Sequence, residues 1–268
     1  MIDILFISRK RKILFILSLA VFALCIVYLG VYTYNSNQAL DHFDELEQIV
    51  LKESIVDEQN PEQIEEDVEP DYSKNAEGKL NCYAELSSRN SEMVGWIKIK
   101  GTRLSYPVMQ QKGNNSFYLN HNFDKVKQSG GLPMLDYQCD IDKPTDNLII
   151  YGHNMRNGSV FATLTKYKKK DFFNEHKTVV LDTLYEHREY EIIAVFNTKV
   201  GSANEFKYHE FVETFSEESF NEYIQGVKER SLHETDISTR FGDNLLTLST
   251  CSYGTSNERM VVVAKRIL

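Results

Sequence analysis

Ile13 to Tyr34 is an almost unbroken apolar run of 22 residues, and it constrains the chain more than any other feature. As a helix it measures about 33 Å, which matches the hydrocarbon core of a bilayer. Arg9, Lys10, Arg11 and Lys12 precede it, and the residues beyond it soon turn acidic. The positive-inside rule then places residues 1–12 in the cytoplasm and everything after the run outside. A cleaved signal peptide is the competing reading, but it calls for a shorter apolar core and a small-x-small exit. The exit here, YLGVYTYNSN, offers bulky Tyr and Val. An uncleaved, single-pass anchor over 13–34 is therefore expected.

Residues 35–78 read as a stalk. Leu40, Phe43, Leu46, Ile49 and Val50 fall near helical spacing, so its first part suits a helix. The stretch ESIVDEQNPEQIEEDVEPDYS is then strongly acidic with two prolines, the composition of a solvated linker. Much of the formal charge of −9 lies there, and its plain role is to hold a domain off an anionic membrane. Basic residues cluster only in the N-terminal tail and in KYKKK at 166–170, so nothing points to nucleic acid.

The folded part is expected over 79–268. KLNCYAELSSRNSEMVGW suits an opening helix, and short strand-like runs recur at 95–100, 104–109, 147–152, 178–182, 189–197, 244–251 and 259–267. Short strands with polar turns describe a mainly β domain with a largely antiparallel sheet. FSEESFNEYIQGVKER (215–230) breaks that pattern. Phe220, Tyr223, Ile224 and Val227 stand at i, i+3, i+4 and i+7, and Ser216 precedes Glu217 and Glu218, so an amphipathic helix is predicted there.

The stretch NLLTLSTCSYGTSNERMVVV (244–263) places chemistry on this sheet. Two strands joined by a Gly/Ser/Asn-rich turn would bring Cys251 and Arg259 to one sheet end. Alternation puts Thr247, Ser249 and Cys251 on one face and Leu246 and Leu248 on the other. A thiol beside a fixed cation is more acidic, and the thiolate is the nucleophile. The bland alternative is a small buried hydrophobe. Acyl transfer also needs a group that protonates the leaving amine. Of seven histidines, His153 ends a strand-like run, NLIIYGHNM, just before a polar loop. His42, His121, His176, His187, His209 and His233 lie in polar or helical surroundings and read as surface residues.

YGHNM (151–155), TLSTCSY (247–253) and Arg259 resemble the histidine, cysteine and arginine signatures of the sortases, membrane-anchored cysteine transpeptidases of Gram-positive bacteria. GWIKIKGTRLSYPVMQ (95–110), NNSFYLNHNF (114–123) and GGLPMLD (130–136) look like successive segments of the class B branch. The long helix before the cysteine strand is similar to class B rather than class A. Pilin-polymerising class C enzymes, the alternative, carry a lid and a C-terminal apolar segment that this chain does not show. The resemblance implies an eight-stranded closed β-barrel with an N-terminal helix. It implies catalytic roles for His153, Cys251 and Arg259, and substrate contacts for Asn115, Leu119 and Ser249. The implied partners are secreted proteins with a C-terminal sorting signal (LPxTG-like, or an NPxTx or SPxTG variant), cut after Thr through a thioester. The acceptor would be a cell-wall peptide amine.

Ser252 occupies a position where class B members often carry an acidic or polar residue, and no contact is assigned to it. Residues 198–211 are expected to wall the groove. Cys25 lies in the apolar run, and a bridge between Cys82 and Cys139 is one option for two of the other three cysteines. No CxxC, HExxH or ligand-spaced histidine pair occurs, so neither metal nor other cofactor is expected. Two rivals remain. An L,D-transpeptidase would place arginine two residues after its cysteine, whereas here it follows by eight. A non-catalytic, membrane-tethered binding module would have no need of all three signature residues.

Overall fold

The computed structural model describes residues 9–52, 69–143, 145–202, 205–251 and 257–268, with Arg9, Lys10 and Cys251 described by their backbone alone. Most of the acidic linker (53–68), Ser252 and the turn at 252–256 therefore lie outside the described residues. The chain divides into two compact units, Met1–Asp44 and Glu45–Leu268. Helix α1 (Arg9–Lys52) contains the apolar run and is long and apolar enough to cross a membrane.

In the second unit, α2 (Asn81–Arg89) leads into eight strands: β1 (Met93–Lys98), β2 (Ser105–Met109), β3 (Met134–Leu135), β4 (Asn147–Gly152), β5 (Thr178–Thr183), β6 (Glu189–Lys199), β7 (Leu245–Cys251) and β8 (Glu258–Arg266). They close into a barrel in the order β1-β2-β3-β4-β7-β8-β6-β5. Most neighbours are antiparallel, but β4 and β7 run parallel in register from Asn147–Leu245 to Gly152–Thr250. Closure removes the unpaired edges that an open sheet would present. Strand β3 has only two residues, too few to show a period. It exists because Met134 pairs with Met109 on one side and Tyr151 on the other.

Helix α3 (Lys170–Glu175) is short, and α4 (Glu217–Glu229) is the long helix before β7. Ser216 caps α4, its hydroxyl accepting from the Ser219 N–H at 3.3 Å. Phe220, Tyr223, Ile224 and Val227, the apolar stripe read from the sequence, are all buried. They pack with Tyr208 against Leu245, Val261, Val263 and Phe196. Each such side chain contributes about 1.5–3 kcal/mol of transfer free energy.

This packing decides the fate of the polar row on β7. Thr247 and Ser249 are buried, because Tyr223 and Tyr208 lie over them. Alternation is kept, yet both faces of the strand are covered. Cys82 and Cys139 are free and buried, and burial pushes each thiol up to about 12. The Cys139 Sγ donates to the Asn147 carbonyl and accepts from the Ile149 N–H, both at 3.4 Å. Neither is a candidate nucleophile.

Candidate active site

The ends of β4 and β7 and the start of β8 meet at one end of the barrel. Cys251 is in register with Arg259 on β8, and Arg259 is in register with Thr198 on β6. Gly152 pairs with Thr250 in the parallel ladder, so His153 is the next residue out, alongside position 251. Neighbouring strands lie about 4.8 Å apart. Histidine just past the end of β4, cysteine on β7 and arginine on β8 therefore stand at one level, with cysteine in the middle.

The backbone around His153 is held on both sides. Its carbonyl accepts the Phe161 N–H at 3.0 Å, and the Val160 N–H donates to the Tyr106 hydroxyl at 3.0 Å. Gly152 is needed for this return of the chain, since a Cβ there would stand 2.8 Å from the Phe161 ring. The imidazole makes a hydrogen bond to the Leu119 backbone. Burial lowers the His153 pKa, the Leu119 bond opposes that shift, and the Arg259 charge adds to the lowering. Arg259 itself donates to the Glu258 carbonyl at 3.0 Å.

A cleft of about 290 Å³ opens at this end, and its lining includes Asn115, Leu119, His153, Ser249 and Arg259. The structure thus brings together all the sequence-predicted site residues with described side chains. Asn115 accepts the Tyr137 N–H at 2.8 Å through Oδ1, which leaves its amide N–H groups as the donors it can offer. Leu119 is half-buried on the cleft wall, whereas its neighbour Tyr118 is the core residue. The Ser249 hydroxyl is shared with that of Tyr208 at 2.7 Å.

Several lining residues escaped sequence reasoning. Tyr151 is on the cleft wall and donates to Asp136 Oδ2 at 3.0 Å. Val200, Tyr208 and His209 come from the 198–211 segment, which does wall the groove. His209 is therefore not a plain surface residue. His233 is not one either: it is buried, its Nε2 lies 2.6 Å from the Tyr167 carbonyl, and its ring packs on Phe173. His187 sits half-buried against Asp182 Oδ1 at 2.7 Å. An aromatic neighbour such as Tyr208, one residue before His209, was the available signal, but nothing local says where that turn docks. Among the described residues no three His, Cys, Asp or Glu side chains gather as metal ligands would.

The chain is similar to known proteins in both sequence and fold. The Sortase domain model matches residues 97–267. Sortase B of Listeria monocytogenes is 37% identical over 187 residues, covering 68% of this chain and 73% of that protein. Sortase B of Staphylococcus aureus is 29% identical over 212 residues, covering 78% and 84%. Among solved structures, sortase B from Bacillus anthracis in complex with AAEK1 superposes with a TM-score of 0.71 at 27% identity, covering 87% of this chain and 98% of that one.

Proposed function

The chain belongs to the sortase family, as a class B cysteine transpeptidase, and on that premise we propose that Cys251 is its nucleophile, with His153 and Arg259 as partners. The observation that carries this reading is the register at the barrel end, with Cys251 paired to Arg259 and flanked by His153. In the first step the Cys251 thiolate attacks the threonine carbonyl of a C-terminal sorting motif. The motif is LPxTG-like or an NPxTx or SPxTG variant. Arg259 stabilises the developing oxyanion. An always-charged, forked guanidinium serves that purpose better than lysine, whose proton is easily lost in a dry site. His153 as imidazolium protonates the departing amine and leaves a thioester. An amine of a cell-wall peptide then attacks the thioester, and the peptide-bond energy is conserved.

Asn115, Leu119 and Ser249 are assigned to the substrate side of the cleft. Residues 1–12 are assigned to the cytoplasm, 13–34 to a single-pass anchor, 35–78 to a stalk and 79–268 to the extracellular catalytic domain. The apolar run and its basic flank support that topology. The full chain, incubated with a library of sorting peptides and read by mass spectrometry, should give a cut after Thr and a covalent adduct on Cys251. Cys251→Ala should abolish cleavage, and Arg259→Lys should impair it severely despite its charge. An alanine variant that cuts like the wild type refutes the nucleophile.

A further inference from the structure

The cleft carries a second imidazole opposite a buried carboxylate. His209 lies in the short turn Tyr208–Glu210 and lines the same cleft as His153 and Arg259. Its Nδ1 stands 4.0 Å from Oε1 of Glu205, whose side chain is only 11% exposed. The other Glu205 oxygen accepts the Gly201 N–H at 2.6 Å, while Oε1 is buried with no hydrogen-bond partner among the described residues. A buried acceptor left unpaired is costly, and His209 is its ion-pair partner among the described residues. Glu210, the other acid beside this histidine, is held by Lys207 at 2.8 Å. The Tyr208 ring, with its hydroxyl bonded to Ser249, packs edge-on to the His209 ring at 5.4 Å and fixes the turn to β7.

We propose that His209, oriented by Glu205, accepts a proton from the incoming amine in the second half of the reaction. This deepens the thioester reading above and rests on it. A primary amine with a pKa of about 8 enters at pH 7 about nine-tenths protonated, and an ammonium cannot attack. His209 takes one proton, and the imidazolium that forms stands 4.0 Å from the Glu205 carboxylate. The free amine attacks the thioester carbon, the new C–N bond forms, the C–S bond breaks, and the thiolate leaves on Cys251. The second proton of the nitrogen goes to His153, which was left neutral by the first step. One ammonium thus becomes an amide N–H while each histidine gains one proton, and His209 returns its own to solvent.

The test compares two acceptors on the full chain, using a sorting peptide that the wild type cleaves. Triglycine enters as an ammonium, whereas hydroxylamine is already uncharged at neutral pH and needs no base. His209→Gln is read relative to its own first-turnover release of the downstream peptide. It should lower transfer to triglycine about tenfold at pH 7, with hydrolysis rising in its place, and leave transfer to hydroxylamine as it was. Glu205→Gln, which keeps an acceptor for Gly201, should show a smaller loss in the same direction. Transfer to triglycine that is unchanged relative to first release, or a parallel fall with both acceptors, would overturn the proposal. Residual cleavage by Cys251→Ala would instead overturn the thioester reading beneath it.

Discussion

Tyr208 and Ser249 share a hydroxyl–hydroxyl bond of 2.7 Å at positions that are each only 2% exposed. That bond ties the cleft wall to β7 two residues before Cys251. Tyr208→Phe keeps the ring and its edge contact with Phe196, whose centroid is 6.1 Å away, but removes the oxygen. The net worth of such a bond is about 1 kcal/mol, and a buried hydroxyl left unpaired costs about 1–3 kcal/mol. Together these give an expected loss of about 2 kcal/mol. Ser249→Ala takes this bond from the Tyr208 phenol instead and should cost a comparable amount. The double variant removes both partners, so its second substitution should cost little. A coupling energy of about 1.5 kcal/mol is expected, inside the range seen for contacting residues. Urea unfolding of the four proteins, with equal m-values as the check on two-state behaviour, measures it. Losses that simply add would refute the claim that these hydroxyls satisfy one another.

Two histidines should respond to pH with opposite signs. The His153 pKa is lowered, so its imidazole resonance should titrate below 6.5. Removing the Arg259 charge with Arg259→Ala should raise the midpoint only in part, because burial is the larger cause. A depressed histidine means that the unfolded chain binds the proton more tightly, so this group takes stability away as pH falls below the ordinary value. His187 is raised, chiefly by its hydrogen bond to Asp182. Its contribution is full below the unfolded pKa and fades as pH rises through the folded one. His187→Gln should therefore cost more stability at about pH 5 than at about pH 9, and equal costs would contradict the assignment.

Glycine substitutions give a third check. Gly131 has φ +49, and a Cβ there would lie 2.0 Å from the Tyr118 carbonyl oxygen, so Gly131→Ala should lose on the order of 3 kcal/mol. Gly113 has φ +70 with nothing within 4 Å of the added carbon, and Gly113→Ala should lose only about 1 kcal/mol. Matching losses in thermal denaturation would show that the close approach at Gly131 is not real.

Much of the fold and site could be read from the chain because local signals carry it. The stripe on α4, its serine cap, and the pairing of Cys251 with Arg259 follow from periodicity and a short connection. A hairpin fixes its own register, so residues eight apart in sequence can be placed together without knowing the rest of the sheet. The adjacency of His153 to that pair is different. It depends on a parallel ladder between β4 and β7, strands almost a hundred residues apart, and no local pattern encodes it. Only the motif resemblance anticipated it.

The apolar run, the amphipathic helix and the cysteine–arginine hairpin are properties of neighbouring residues, and sequence by itself determined them. Tertiary structure alone decided that Thr247 and Ser249 are buried under Tyr223 and Tyr208, and that His209 lines the cleft with Glu205 behind it while His233 lies in the core. The physical reason is that burial is set by whichever distant surface arrives on a face. A side chain's polarity states only what its environment must satisfy, and packing determines which partner satisfies it.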